Sequence, residues 1–196
     1  MITNFEPFFG LNKSLIQQVC INPVLRNNLK ISFNENNLFI PLSHMNKQTK
    51  ENLIRRAMDE AEKGIKKSNS PFGAVLTDKK GNIVEAAYNT SKTDCDPTAH
   101  AEINLLRKAG KKFKTRVLEE YCLFSNAESC SMCMSAAIKA GITFFYFGAP
   151  SEKNMDPYLT VFDVAKKSKR KLHIETGLLK EECIAQIIRG RNKLLK

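Results

Sequence analysis

Apolar positions recur every three to four residues between Leu53 and Ile65. Leu53, Ala57, Ala61 and Ile65 form a stripe that Ile54 and Met58 widen, which predicts an amphipathic helix from about Lys47 to Lys67. Ser-Asn-Ser-Pro at 68–71 stops it. The period then shortens. Gly73–Asp78 and Ile83–Tyr88 are β-rich runs joined by Lys-Lys-Gly-Asn, a hairpin signal. A loop over Asn89–Asp96 leads to Pro97 at a first helical position. The helix predicted there spans Thr98–Ala109, with Ala99, Ile103 and Leu106 on one face and Gly110 as its stop.

Further along, Tyr121–Ser125 and Thr143–Phe147 read as buried strands. Between them Cys130–Ala140 reads as a helix ended by Gly141. Tyr158–Lys167 is a short helix, Lys171–Glu175 a last strand and Lys180–Leu195 a closing helix. The resulting order, α-β-β-α-β-α-β-α-β-α, predicts an α/β fold in three layers, α/β/α. Its central sheet is five-stranded and mixed, an antiparallel hairpin followed by parallel strands. Residues 1–46 lack this rhythm. They hold nine asparagines, a short helix around Ser14–Cys20 and a strand at Asn37–Leu42, and are set apart as an N-terminal extension to the 47–196 domain. A natural start at Met45 is an equally compatible reading.

Composition narrows the class. At 196 residues, 42% hydrophobic and 26% charged, the chain has the balance of a soluble globular protein. No apolar run approaches the roughly 20 residues of a membrane span. The opening MITNFEPFFG has no basic segment, so no secretory signal is expected and the cytoplasm is the expected location. Six cysteines in such a chain argue against a disulfide framework, and Cys122, within an apolar run, is expected in the core. The net charge of +11 gathers in KKSKRK at 166–171 and in Arg189, Arg191, Lys193 and Lys196. Aromatic residues do not interleave with these cations as on a base-stacking platform. The charge permits a nucleic-acid partner without indicating one.

Two short fragments carry the chemistry. His100 and Glu102 open one predicted helix, and Cys130 and Cys133, three residues apart, share the first turn of another. Helix N-termini favour thiolates. One histidine and two cysteines suit zinc better than magnesium or calcium. Three protein ligands, not four, leave a position for water, which zinc makes acidic enough to supply hydroxide near neutral pH. Glu102 is then placed to move protons without binding metal. Two readings compete. Strand–loop–CxxC–helix is also the thiol oxidoreductase arrangement, although it leaves His100 and Glu102 without a role. A basic nucleic-acid-binding module with a structural zinc would need a fourth ligand from His44, Cys95 or His173.

His-x-Glu followed by Pro-Cys-x-x-Cys is the signature of zinc deaminases. With PFGAV at 71–75, DPTAHAE at 96–102 and CSMC at 130–133, the chain resembles the cytidine/deoxycytidylate deaminase superfamily. It is most similar to the branch holding guanine deaminases and tRNA adenosine deaminases, over about residues 50–180. The resemblance implies a cytidine deaminase-like fold and a hydrolytic deaminase with one zinc per chain. His100, Cys130 and Cys133 match the metal ligands, Glu102 the proton shuttle and Asn89 a base-contacting asparagine. It also implies a nucleobase or nucleoside substrate and a homodimer. Two positions depart from the pattern. Ser129 stands where proline is usual, which is expected to alter loop rigidity more than ligation. GAPSEKNMDP at 148–157 replaces the small-residue stretch of the tRNA-acting members. Glu152 within it falls near an acidic residue that reads guanine, so a guanine-like purine is expected ahead of adenosine in tRNA, with a cytosine-type base behind both.

Overall fold

The first helix, α1 (Lys47–Lys66), begins at Asn46, whose side chain accepts the Thr49 N–H at 2.8 Å. The computed structural model describes residues 31–33, 39–41, 45–153 and 157–195. Backbone contacts divide the chain into Met1–His44 and Met45–Lys196. In the first unit Ile31–Phe33 pairs antiparallel with Phe39–Pro41, which falls within the expected strand Asn37–Leu42; residues 37, 38 and 42 lie outside the described residues. The helix expected at Ser14–Cys20 lies outside the described residues.

In the second unit the elements after α1 are β1 (Gly73–Asp78), β2 (Ile83–Tyr88), α2 (Ala101–Phe113), β3 (Tyr121–Ala127) and α3 (Ser131–Lys139). They continue with β4 (Phe144–Ala149), α4 (Val161–Lys167), β5 (His173–Glu175) and α5 (Lys180–Leu194). The ten elements follow the order read from the sequence. They build one sheet, β2-β1-β3-β4-β5. The β1 strand is antiparallel to β2 and β3, and β4 is parallel to β3 and β5.

Strand alternation sorts the core into two halves. Ala74, Leu76, Leu123, Phe145 and Phe147 face one cluster with Ala101, Leu105, Met134 and Val161 from α2, α3 and α4. Val75, Cys122, Phe124 and Tyr146 face the other with Leu53 and Ile54 of α1 and Ile187 of α5. That is the period-two pattern of a sheet covered on both faces. Each fully buried Leu or Phe contributes about 1.5–3 kcal/mol. Contact between α1 and β1 is close enough that a Cβ on Gly73 would lie 2.2 Å from the Ala57 carbonyl oxygen and 2.4 Å from the Ala61 nitrogen. Only glycine allows that approach.

The edge strand β2 is covered by one stripe of α2. Asn104 Nδ2 donates to the Tyr88 carbonyl at 3.1 Å, Lys108 Nζ to Ala86 at 3.0 Å and Lys112 Nζ to Val84 at 2.6 Å. Four helical residues rise about 6.0 Å, and two strand residues about 6.7 Å. Steps of four along the helix therefore keep pace with steps of two along the strand.

Helix α2 departs from expectation at both ends. Asp96 accepts from the Thr98 N–H and hydroxyl, each at 2.7 Å. This closes a turn over Pro97 and Thr98, so the helix starts at Ala101 and Pro97 lies outside it. Its buried face is Ala101, Leu105 and Ala109, whereas Ile103 and Leu106 are partly exposed. Gly110 does not stop it. The helix runs on to Phe113, and Lys114 ends it in the left-handed region with its N–H on the Gly110 carbonyl. Likewise α4 starts at Val161, where Thr160 and Asp163 form a capping box, three residues later than Tyr158.

Candidate active site

His100 is the N-cap residue of α2 and Cys130 that of α3. Each has an extended backbone, and neither makes a side-chain cap hydrogen bond. Both side chains are therefore free to point off the helix ends. Cys133, one turn into α3, is buried. The Sγ atoms of Cys130 and Cys133 each lie 3.6 Å from His100 Nδ1, and all three donor atoms fall within 4.8 Å of one another. Zn–N of about 2.05 Å and Zn–S of about 2.3 Å at tetrahedral angles require an N···S edge of about 3.6 Å. The donor set and its spacing fit a zinc ion. The Cys130 thiol is lowered to about 4, first by its hydrogen bond from Cys133, against burial and with help from His100. The contact with Cys130 raises His100, and the same thiol pair, together with burial, raises Cys133. One donor is thus anionic at neutral pH, which suits a soft divalent cation.

Glu102 sits in the first turn of α2, 5% exposed. Burial pushes its carboxyl above the usual carboxylate range, and the Ser129 hydroxyl, donating to Oε1 at 2.7 Å, opposes that shift. A buried carboxyl beside a candidate metal site has the setting of a group that exchanges protons.

Asn89 is buried at the end of β2, and its Oδ1 accepts from the Ser91 N–H at 3.0 Å and the Ser91 hydroxyl at 2.8 Å. Its Nδ2 makes no hydrogen bond among the described residues. The segment around it is held by Asn104, which also donates to Thr90 Oγ1 at 2.8 Å and to the Ala99 carbonyl at 3.2 Å. Glu152, just past β4, is half-exposed and pairs with Arg191 of α5. No hydrogen bond joins it to His100, Cys130, Cys133 or Glu102 among the described residues. The structure therefore gathers the triad and Glu102, sets Asn89 in a fixed turn and leaves Glu152 in a surface ion pair. The contacts of Ser129, Ser91 and Asn104 do not follow from residue type and spacing. Only Ser129 left a trace in the sequence, as a hydroxyl where the signature has proline.

The competing readings find little support. Cys95 is exposed, and His173 packs against Phe144 and Tyr146; neither joins the cluster. His44 lies outside the described residues. Two arginines of the C-terminal basic cluster are engaged, Arg189 with Glu62 and Arg191 with Glu152. Among the described residues no helix is long and apolar enough to cross a membrane.

The profile of the cytidine and deoxycytidylate deaminase zinc-binding region matches residues 47–149. The chain is 35% identical over 135 residues to the tRNA-specific adenosine deaminase of Haemophilus influenzae, covering 68% of this chain and 78% of that protein. It is 38% identical over 87 residues to the guanine deaminase of Bacillus subtilis, 44% of this chain and 55% of that one. Among solved structures, the guanine deaminase from Nitrosomonas europaea superposes with a TM-score of 0.63 at 20% identity, over the full length of both chains. That likeness is one of fold.

Proposed function

We propose a purine amine as the substrate of this chain, which belongs to the cytidine and deoxycytidylate deaminase zinc-binding family and is a zinc-dependent hydrolase of an exocyclic C–N bond. The observation that carries the reading is the burial of Glu102 two residues past His100, beside donors spaced for zinc. Zinc bound by His100, Cys130 and Cys133 supplies activation of water, drawing its pKa toward about 7.

Glu102 takes a proton from the attacking water and passes it to a ring nitrogen. It then delivers the second proton to the departing amine, so C–NH₂ and water become C=O and ammonia. Buried Asn89 offers its Nδ2–H₂ to an acceptor on the base, since Ser91 occupies its oxygen. Glu152 can read a guanine N1–H and N2–H₂ only after leaving Arg191.

Guanine and the adenosine of tRNA, named for the relatives above, are both purines with an exocyclic amine. A free purine is favoured because 148–157 lacks the tRNA-type stretch and because Arg189 and Arg191 are already paired. The tRNA reading is supported by the longer match to the Haemophilus influenzae enzyme. Ammonia release from free purines, nucleosides and a tRNA anticodon stem-loop, at low and moderate salt, separates them. A free-purine enzyme has no phosphates to neutralise and should show little salt dependence or effect of charge reversal within Lys166–Lys171. Activity on tRNA alone, falling steeply with salt, would establish the second reading. Homodimerisation belongs to the same proposal, and sedimentation at two concentrations checks it.

A further inference from the structure

Proline precedes the first cysteine in the zinc deaminase signature, and this chain has Ser129 there. The residue is not a surface substitution. Ser129 is 3% exposed, and its hydroxyl reaches Glu102 Oε1 at 2.7 Å, joining the turn before α3 to the first turn of α2. That length is typical of a hydroxyl donating to a carboxylate. Proline has no donor with which to make this bond.

We infer that Ser129 is a positioning residue for Glu102, an inference that rests on reading Glu102 as the proton shuttle. A glutamate has three side-chain torsions, and beyond the contact of the Glu102 carboxyl with its own backbone N–H, the Ser129 hydroxyl restrains the last of them from outside α2. The Ser129 bond holds one carboxyl oxygen, Oε1, and leaves Oε2 outside that contact for proton traffic. The hydroxyl is also a rotor with one donor and two lone pairs. Ser129 is also bonded through the chain to Cys130. The peptide that presents a candidate zinc ligand therefore also sets the orientation of the shuttle.

The test uses the zinc-loaded full chain, with ammonia release from guanine as the readout, or from a tRNA anticodon stem-loop if guanine is not turned over. Ser129→Ala should retain about one zinc per chain and remain folded at the assay temperature, with a modestly lowered melting temperature. Its kcat should fall about 10- to 100-fold, the range of one hydrogen bond to a charged group, with KM nearly unchanged. Ser129→Thr, which keeps the hydroxyl, should recover most of that loss. Wild-type kcat in a zinc-replete Ser129→Ala enzyme overturns the inference. So does a zinc-replete, folded Ser129→Thr enzyme as slow as the alanine variant, or a loss of activity that only tracks lost zinc. Glu102→Gln measured in parallel separates the two levels. If it stays near wild type, the shuttle reading itself has failed. If it is inactive while Ser129→Ala is normal, only the role given to Ser129 falls.

Discussion

His100 and Cys130 hold the same place in two different helices: each is an N-cap residue, and neither spends its side chain on capping. N-cap side chains usually satisfy free N–H groups of the first turn. Here both point instead toward one another, 3.6 Å apart. Two helix N-termini are thereby turned toward a shared point that favours anionic donors.

The purified protein should therefore carry about one zinc per chain. Cys130→Ser or Cys133→Ser should lose most of it, and their melting temperatures should respond less to added zinc than the wild type's, because metal stabilises only the state that binds it. Metal analysis and thermal melts with and without zinc check this. Full occupancy in the doubly substituted chain would remove these residues as ligands.

Glu102→Gln keeps the shape of the side chain and removes its basicity. Zinc content and fold should persist, while kcat falls by the roughly 10²–10⁴-fold typical of lost general acid–base catalysis. Steady-state ammonia release is the measurement, and a variant within a few-fold of wild type would assign the proton transfers to another group.

Gly73→Ala should be strongly destabilising although it adds one methyl. The new Cβ would meet backbone atoms of α1 at 2.2 and 2.4 Å, and backbone cannot swing aside as a side-chain tip can. A cost of about 1–3 kcal/mol or more is expected from such overpacking. Denaturant titration measures it, and an unchanged midpoint would mean that α1 shifts freely on the sheet.

The hairpin turn should give part of the stability an acid limb. Asp78 accepts from the N–H groups of Lys80 at 2.8 Å and Asn82 at 2.9 Å, and from the Asn82 amide at 2.8 Å. Burial raises its carboxyl, but the Asn82 and turn N–H bonds outweigh this and hold it below the usual range. A depressed folded value means that the contribution is complete above the unfolded value of about 3.9 and fades as pH falls through the folded one. Asp78→Ala should cost about 1 kcal/mol near neutral pH and less in acid, once pH has fallen through the folded value. Equal losses at both pH values would show that the turn carboxylate is not the source.

The ten elements of the domain were legible because its strands and helices keep their periods without interruption. Phe145, Tyr146 and Phe147 alternate between two cores, and Leu53 to Ile65 hold one helical stripe. The start of α2 was not legible, since a proline at 97 suits a first helical turn as well as the Asp96 turn that forms. Choosing between them depends on a side chain closing on its own backbone. At the candidate site, residue type and spacing pointed to His100, Glu102, Cys130 and Cys133. The contact between Ser129 and Glu102 could not be read, because it spans 27 positions and depends on how α2 and α3 meet across the sheet end. Glu152 illustrates the converse: its distance from β4 along the chain says nothing of Arg191, which reaches it from α5.

The stripe of Asn104, Lys108 and Lys112 bears on how the chain behaves when crowded. An exposed sheet edge offers its carbonyls as a template on which further strands can add, the usual route into fibrils. Along β2 three of those carbonyls already hold donors from the same molecule, and two of the donors are ammonium groups. An incoming strand would have to strip all three and bury or displace two charges before gaining its first ladder bond. The protein should thus resist growth from this edge at concentrations where a bare strand would seed it. Neutralising Lys108 and Lys112 would weaken that barrier.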